Sequence, residues 1–213
     1  MHNYIKRGIS LFLCLAMVFA LSACSGRAMT EENITKTVEL VEKALREFDR
    51  DTLQKYVSSK TLDYIIRFAN SKEQFDTIGK LLFEKLELTV QSVDVENQTV
   101  TLEIVNRDMT EIARRYSKLI KDYSGGNALD MVKLLNDDEF LDISVRSITS
   151  QISYATVPDN PVVLTVSVSK GSKNLVLNLD EEAENAVSGG VVKEISAAFT
   201  PGANKSEATT AAE

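Results

Sequence analysis

The residue types that most often carry out catalysis are concentrated at the very start of this chain. Its single histidine, His2, and its two cysteines, Cys14 and Cys24, all lie within the first 24 of 213 residues. A serine or cysteine nucleophile of the usual kind needs an imidazole beside it to take its proton. Zinc sites are built mostly from imidazole and thiolate ligands. We therefore expect neither kind of site in the rest of the chain.

Lysine and carboxylate side chains could support two further kinds of chemistry, Ser–Lys catalysis and calcium binding. Ser71-Lys72 and Ser117-Lys118 are adjacent pairs, and neighbours along a helix point to different sides, so Ser–Lys catalysis is not expected. Oxygen ligands for calcium are concentrated at 137–142 and 180–184, but neither stretch has the spacing and central glycine of an EF-hand loop. We interpret both as acidic first turns of helices. No metal and no cofactor are expected.

Tyrosine and carboxylate side chains can also perform acid–base catalysis without histidine, provided that burial shifts a carboxyl pKa. The sequence contains no pattern that pairs a tyrosine with an aspartate. Tyr116 and Tyr123 are seven residues apart, which puts them on one face of a helix. We expect these two tyrosines to line a core or a pocket. The chain is accordingly predicted not to be an enzyme.

The composition is that of a globular domain with no affinity for nucleic acid. Hydrophobic residues make up 44% of the chain and charged residues 26%, which suffices for one buried core. The 24 basic and 31 acidic side chains give a net charge of −7. Binding to a phosphate backbone relies on a basic surplus, which this chain lacks.

The N-terminus resembles a secretory signal peptide. Lys6 and Arg7 form a short positive region, and the mainly apolar stretch Ile9–Leu21 follows. Its 13 residues span roughly 20 Å as a helix, less than the ~30 Å hydrocarbon core of a bilayer. We therefore predict a cleaved signal and not a permanent membrane anchor.

The four residues that end this stretch match the lipobox of bacterial lipoproteins at every position: Leu21, Ser22, Ala23 and Cys24. In that family the cysteine thiol receives a diacylglycerol and the preceding peptide is removed. The resemblance implies a signal peptide at 1–23 and a lipidated, palmitate-type anchor on Cys24. Two acyl chains hold a protein stably on a membrane where a single chain binds reversibly. The alternative is an ordinary signal peptide with a chance cysteine near its cleavage site.

Cleavage before Cys24 would leave an acidic mature chain without reactive thiols. It removes Lys6 and Arg7, so 22 basic and 31 acidic side chains remain, with a net charge of −9. No disulfide is possible, because the one remaining cysteine carries the lipid. Anionic lipid is expected to repel this domain, which would stand off the membrane on its tether.

Helical spacing of apolar residues dominates the first part of the exported chain, after a tether at 24–30. Residues 31–48 predict one amphipathic helix. Asp51 is expected to cap a short second helix that ends at Val57, and Ser59 a third. Residues 71–74 have the spacing of a capping box and predict a fourth helix.

The apolar period then changes from 3.6 to two residues, which predicts strands. The two hairpins comprise four alternating segments: 86–95, 99–104, 162–168 and 175–179. Helices are expected between the hairpins, from Asp108 to Gly125 and from Asn127 to about Ser153. A last helix after Asp180 is expected to bend at Gly189-Gly190. The prediction is an α+β fold, with an antiparallel sheet of about four strands packed on several helices.

This order of elements resembles that of small lipoproteins of Gram-positive bacteria with a nuclear transport factor 2-like or cystatin-like cone. The resemblance depends on the lipobox, on Val100–Ile104 before a helix that begins at Asp108, and on Asn185–Gly190 after the second hairpin. It covers roughly residues 31–199 and lacks the tryptophan that many such chains carry on the late hairpin. It implies a single cone-like domain at 31–199, followed by a disordered tail at 200–213.

The predicted lipid anchor, together with the lack of a recognisable set of catalytic residues, favours a non-enzymatic domain at the extracytoplasmic face of the cell membrane. Its partner would be the membrane, through the lipid on Cys24, together with a small ligand or an envelope protein. Two alternatives stay open: a cone-type isomerase or hydrolase that uses Asp and Tyr, and a structural accessory protein of the envelope. A Gram-positive surface and an outer membrane are both compatible with the lipobox.

Overall fold

The part of the chain described by a computed structural model comprises residues 28–152 and 154–199. Three features predicted from the sequence lie outside them: the signal peptide at 1–23, the lipobox of Leu21, Ser22, Ala23 and Cys24, and the tail at 200–213.

Nine helices form most of the described structure. None of these helices is both long enough and apolar enough to cross a membrane. In chain order they are α1 (Glu31–Glu47), α2 (Arg50–Tyr56), α3 (Lys60–Ala69), α4 (Glu73–Phe83), α5 (Thr110–Ser124), α6 (Ala128–Leu134), α7 (Asp138–Ile152), α8 (Glu181–Val187) and α9 (Val191–Phe199).

The described part also contains one open, mixed sheet of five strands, which confirms the α+β class. Its order is β1-β5-β4-β3-β2, and all neighbours are antiparallel except β1 and β5. Four strands form the two predicted hairpins, but β1 was not expected, because Val57 was assigned to the end of a helix. Val57 instead pairs with Leu177 of β5. The strands are β1 (Val57–Ser58), β2 (Glu87–Asp94), β3 (Thr99–Val105), β4 (Val162–Lys170) and β5 (Leu175–Asn178).

One face of this sheet is buried against helices. Along β3, Val100, Leu102 and Ile104 are at most 2% exposed, and they alternate with half-buried neighbours, three of which are polar. The register shifts between Val90 and Ser92 of β2. This bulge keeps apolar residues on the inner face after a change in spacing, which explains why the alternation at 86–95 is imperfect.

The junction between α1 and α2 corrects one predicted helix cap. Phe48 adopts a left-handed conformation with φ 52° and ends α1. Asp49 is therefore the first residue that can cap α2, and its carboxylate accepts hydrogen bonds from the N–H and the hydroxyl of Thr52 at 3.2 and 2.7 Å. The cap expected at Asp51 was wrong, because Asp51 already lies inside α2.

Two other helix boundaries differ from the sequence prediction. The N-cap of α4 is Lys72 and not Ser71, and the Lys72 ammonium contacts Asp138 of α7 at 2.5 Å. The pattern from Asn127 onward forms two helices, because Asp137 caps α7 through the N–H of Phe140 at 2.8 Å. These breaks let α6 and α7 pack on α5 separately.

Two glycines separate α8 from α9, where the sequence predicted a bend in one helix. Gly189 and Gly190 have φ of 64° and 92°, which L side chains rarely adopt. The Gly189 carbonyl accepts a hydrogen bond from the N–H of Met109 at 2.8 Å. A Cβ atom on Gly189 would lie 2.0 Å from the carbonyl oxygen of Arg107. This close approach fixes where α9 starts.

Candidate functional site

An apolar pocket of about 340 Å³ lies among α1, α3, α4, α8 and α9. The amphipathic pattern of α3 explains part of its wall: Leu62 and Ile65, three residues apart, line the pocket, while the next residue, Ile66, is 1% exposed in the core. The apolar lining consists of Leu45, Leu62, Ile65, Phe75, Leu82, Phe83, Leu179, Val187, Val191, Val192 and Ile195.

The pocket is partly open, and large side chains at its edge are exposed. Tyr64 of α3 is 63% exposed and Ile195 of α9 is 43% exposed. The Arg67 guanidinium carbon lies 5.9 Å from the centre of the Tyr64 ring. Exposed apolar side chains around a concave apolar surface are typical of ligand sites.

One carboxylate, that of Glu184 on α8, forms part of the wall of this pocket. Its Oε1 accepts hydrogen bonds from the Ser59 hydroxyl at 2.6 Å and from the N–H of Thr61 at 3.2 Å. Its Oε2 accepts one from the Thr61 hydroxyl at 2.5 Å. Three neutral donors therefore fix the carboxylate at the start of α3.

The local sequence explains why Glu184 faces α3. Ala183 and Val187, four residues apart, are buried and attach one side of α8 to the core. Asp180 caps this helix through the N–H of Ala183 at 2.9 Å. Glu184 lies next to the buried stripe, and it meets Ser59, whose hydroxyl also accepts a hydrogen bond from the N–H of Leu62 at 3.0 Å. Ser59 is thus the predicted cap of α3 and also a donor to the pocket carboxylate.

A wider polar groove of about 740 Å³ adjoins the apolar pocket. Hydroxyl and amide side chains contribute to its lining, among them Thr165, Ser167 and Asn178 on the outer face of the sheet. Glu184 lines both cavities, and so do Ser59 and Thr61. The carboxylate therefore lies where the apolar pocket meets the polar groove.

The two tyrosines singled out in the sequence share one side of α5 but lie elsewhere. Both rings contact Phe140 of α7, with centroid distances of 6.5 Å for Tyr116 and 5.9 Å for Tyr123. Tyr116 is half-buried, whereas Tyr123 is 68% exposed. Burial raises the pKa of Tyr116, and the neighbouring Ser144 opposes this only in part. Neither tyrosine is among the residues that line the apolar pocket.

The acidic stretches considered as calcium ligands are separated in the structure. Asp138 pairs with Lys72, Asp142 accepts a hydrogen bond from Gln74 at 2.7 Å, and Glu184 faces α3. Within residues 28–152 and 154–199, no group of three or more His, Cys, Asp or Glu side chains is arranged to hold a metal ion.

Sequence reasoning identified neither the pocket nor Glu184 as a site residue. Glu184 was interpreted as a dipole-stabilising residue of a helix start, and its contact with Ser59 joins positions 125 residues apart. Val191, Val192 and Ile195 of α9 all fall within one core-facing stripe, so their spacing did not distinguish a cavity wall from a filled core.

Comparison with known proteins adds no relative to this description: no family model, no curated protein and no solved structure matches the chain.

Proposed function

We propose that this protein is an extracytoplasmic, lipid-anchored binding protein that holds a small, largely apolar molecule in the pocket beside α3 and α9. The observation that carries the proposal is the pocket itself, which has eleven apolar lining residues and exposed Tyr64 and Ile195 at its edge. Its volume of about 340 Å³ falls at the lower end of the range of ligand sites, roughly 300–1,000 Å³.

The anchor and the cone form the other parts of the proposal. The lipobox at Leu21–Cys24 supports lipidation of Cys24 and placement on the outer face of the cell membrane. The cone-like shape is supported by α1, which packs on both β2 and β5 of the sheet. Labelled palmitate should enter the parent chain in bacteria and not a Cys24→Ser variant, which should leave the membrane fraction.

The lining chemistry favours binding over acid–base catalysis. Tyr64 and Glu184 are the titratable side chains among the lining residues of the pocket. Tyr64 is mostly exposed, and no hydrogen bond joins it to Glu184 within the described residues. An acid–base pair would need its two groups within reach of the same reacting atom. A docked apolar body needs only the surface that these walls provide.

The test uses the processed chain, residues 24–213, with Cys24→Ser in place of the lipidated residue. This chain retains the described core, which extends from Ile34 to Val192. We expect saturable binding of 1-decanol in calorimetry, because each buried methylene contributes about 0.8 kcal/mol before the entropic cost of association. The heat capacity change on binding should be negative.

Two tryptophan variants locate that binding. Ile195→Trp should fill the edge of the pocket and weaken decanol binding about tenfold, or ~1.4 kcal/mol. Ile143→Trp is the matched control, because Ile143 is exposed to a similar extent, 49% against 43%, and lies on α7 away from the pocket lining. An absence of decanol binding, or an equal effect of both variants, would disprove the proposed site.

A further inference from the structure

We propose that the ligand is an amphiphile whose head is a protonated amine, bound by Glu184 where the pocket opens into the polar groove. This inference rests on the proposed function and adds the chemical class of the ligand. Its first support is position: Glu184 lines both the apolar pocket and the groove. A ligand that fills the first and emerges into the second must pass this carboxylate.

The hydrogen bonds of Glu184 leave one acceptor position for a ligand. A carboxylate has about four lone-pair positions, and three of these are used by the Ser59 hydroxyl and by the N–H and hydroxyl of Thr61. Two of these donors contact Oε1 and one contacts Oε2. The remaining position is therefore on Oε2. An N–H donor of the ligand would complete the set.

Within the described residues, the Glu184 carboxylate forms no ion pair. Its donors are all neutral. Within the groove lining, Asp180 and Glu181 add negative charge, and Lys60 is the basic residue of that lining. This balance favours a cationic head and disfavours a carboxylate head.

A charged head also makes the stronger contact. A hydrogen bond between an ammonium group and a carboxylate is roughly twice as strong as one between neutral groups. A neutral alcohol can occupy the same acceptor position without the added attraction between opposite charges. Three ten-carbon compounds therefore separate the head from the chain: decylamine and 1-decanol have the same ten-carbon alkyl chain, and decanoate has a nine-carbon chain beside its carboxylate.

The experiment measures the affinity of these three compounds for the processed chain at neutral pH by calorimetry, below the concentrations at which they form micelles. We expect decylamine to bind at least tenfold more tightly than 1-decanol, and decanoate to bind most weakly. In a Glu184→Gln variant the preference for decylamine over 1-decanol should shrink to less than threefold. Glu182→Gln is the matched control: it removes the same charge from the same helix at an exposed residue outside both linings, and it should keep the preference.

Each outcome is decisive. If decylamine and 1-decanol bind equally to the parent chain, or if decanoate binds most tightly, the assignment of an amine head is wrong while the apolar site stands. If Glu184→Gln keeps the preference, Glu184 is not the residue that recognises the head. The ranking in the parent chain needs no variant, so it tests the inference even if Glu184→Gln does not fold. If none of the three compounds binds, the proposed function fails with it.

Discussion

Replacement of Asn106 should reveal how the walls of the pocket are held together. Asn106 follows β3 and is 6% exposed. Its amide nitrogen donates to the carbonyl oxygens of Leu82 at 3.1 Å and Val187 at 2.7 Å, and its Oδ1 accepts from the N–H of Arg107 at 2.8 Å. Leu82 belongs to α4 and Val187 ends α8, so this side chain joins two helices that line the pocket.

The size of the effect follows from these three hydrogen bonds. Each contributes roughly 0.5–1.5 kcal/mol net, and a buried polar group left without a partner costs about 1–3 kcal/mol. A polar cavity of about 220 Å³ beside Asn106 can admit water to the abandoned carbonyls, which reduces that second cost. We expect Asn106→Ala to lower the free energy of unfolding by about 3 kcal/mol. Asn106→Asp should lower it further, because its carboxylate would face two carbonyl oxygens.

Urea denaturation with linear extrapolation measures both changes. For a domain of this size, a loss of about 3 kcal/mol corresponds to a fall in Tm of about 6–12 °C. The control is Asn160→Ala, since Asn160 is exposed beside the same cavity, and it should stay within about 0.5 kcal/mol of the parent. A loss below 1 kcal/mol for Asn106→Ala, or a milder effect of Asp than of Ala, would refute this reasoning.

Two further variants test backbone positions that the structure makes specific. Gly189→Ala should lower the Tm far more than Gly125→Ala. Both glycines have positive φ, but only at Gly189 would the new Cβ lie 2.0 Å from a carbonyl oxygen, that of Arg107. Similar losses of Tm in the two variants would contradict the close approach. Asp49→Ala should lower the Tm at pH 7, because hydrogen bonds from the side chain and the N–H of Thr52 hold the pKa of Asp49 below its usual value. Asp51→Ala should not lower it, because Asp51 lies inside α2 and does not cap it. The stabilisation by Asp49 is present above the unfolded pKa of about 3.9 and is lost as the pH falls through the lower folded pKa, so the Asp49→Ala difference should vanish in acid.

Short-range patterns in the sequence predicted most elements of the fold. The alternation around Val100–Ile104 specified a strand with one buried face, and Ser59 was correctly identified as the cap of α3. These features depend on residues a few positions apart, which the chain order places together. The cap at Asp49 was missed because it depends on the left-handed conformation of Phe48. That conformation places the Phe48 ring against Gly79, a contact between distant residues.

Long-range contacts account for what the sequence did not predict. Strand β1 has only two residues, and Val57 joins the sheet because it pairs with Leu177 at the edge of β5. The pocket has the same origin, since Leu62, Phe75 and Ile195 come from three separate helices. No local pattern predicts that these helices enclose a space, because an apolar residue beside a cavity has the same periodicity as one in a filled core.

The geometry of the candidate site is imposed by tertiary contacts and not by helix α8 itself. That helix has seven residues, well below the length at which an isolated helix is stable in water, about 12–15 residues. The Asp180 cap fixes its first turn, and Asn106 fixes its last through the Val187 carbonyl. Glu184 lies between these two attachments, so both define the position of its carboxylate. It follows that a substitution such as Asn106→Ala, which touches no ligand, should weaken decylamine binding more than 1-decanol binding, because the amine gains more from its contact with the Glu184 carboxylate than the alcohol does.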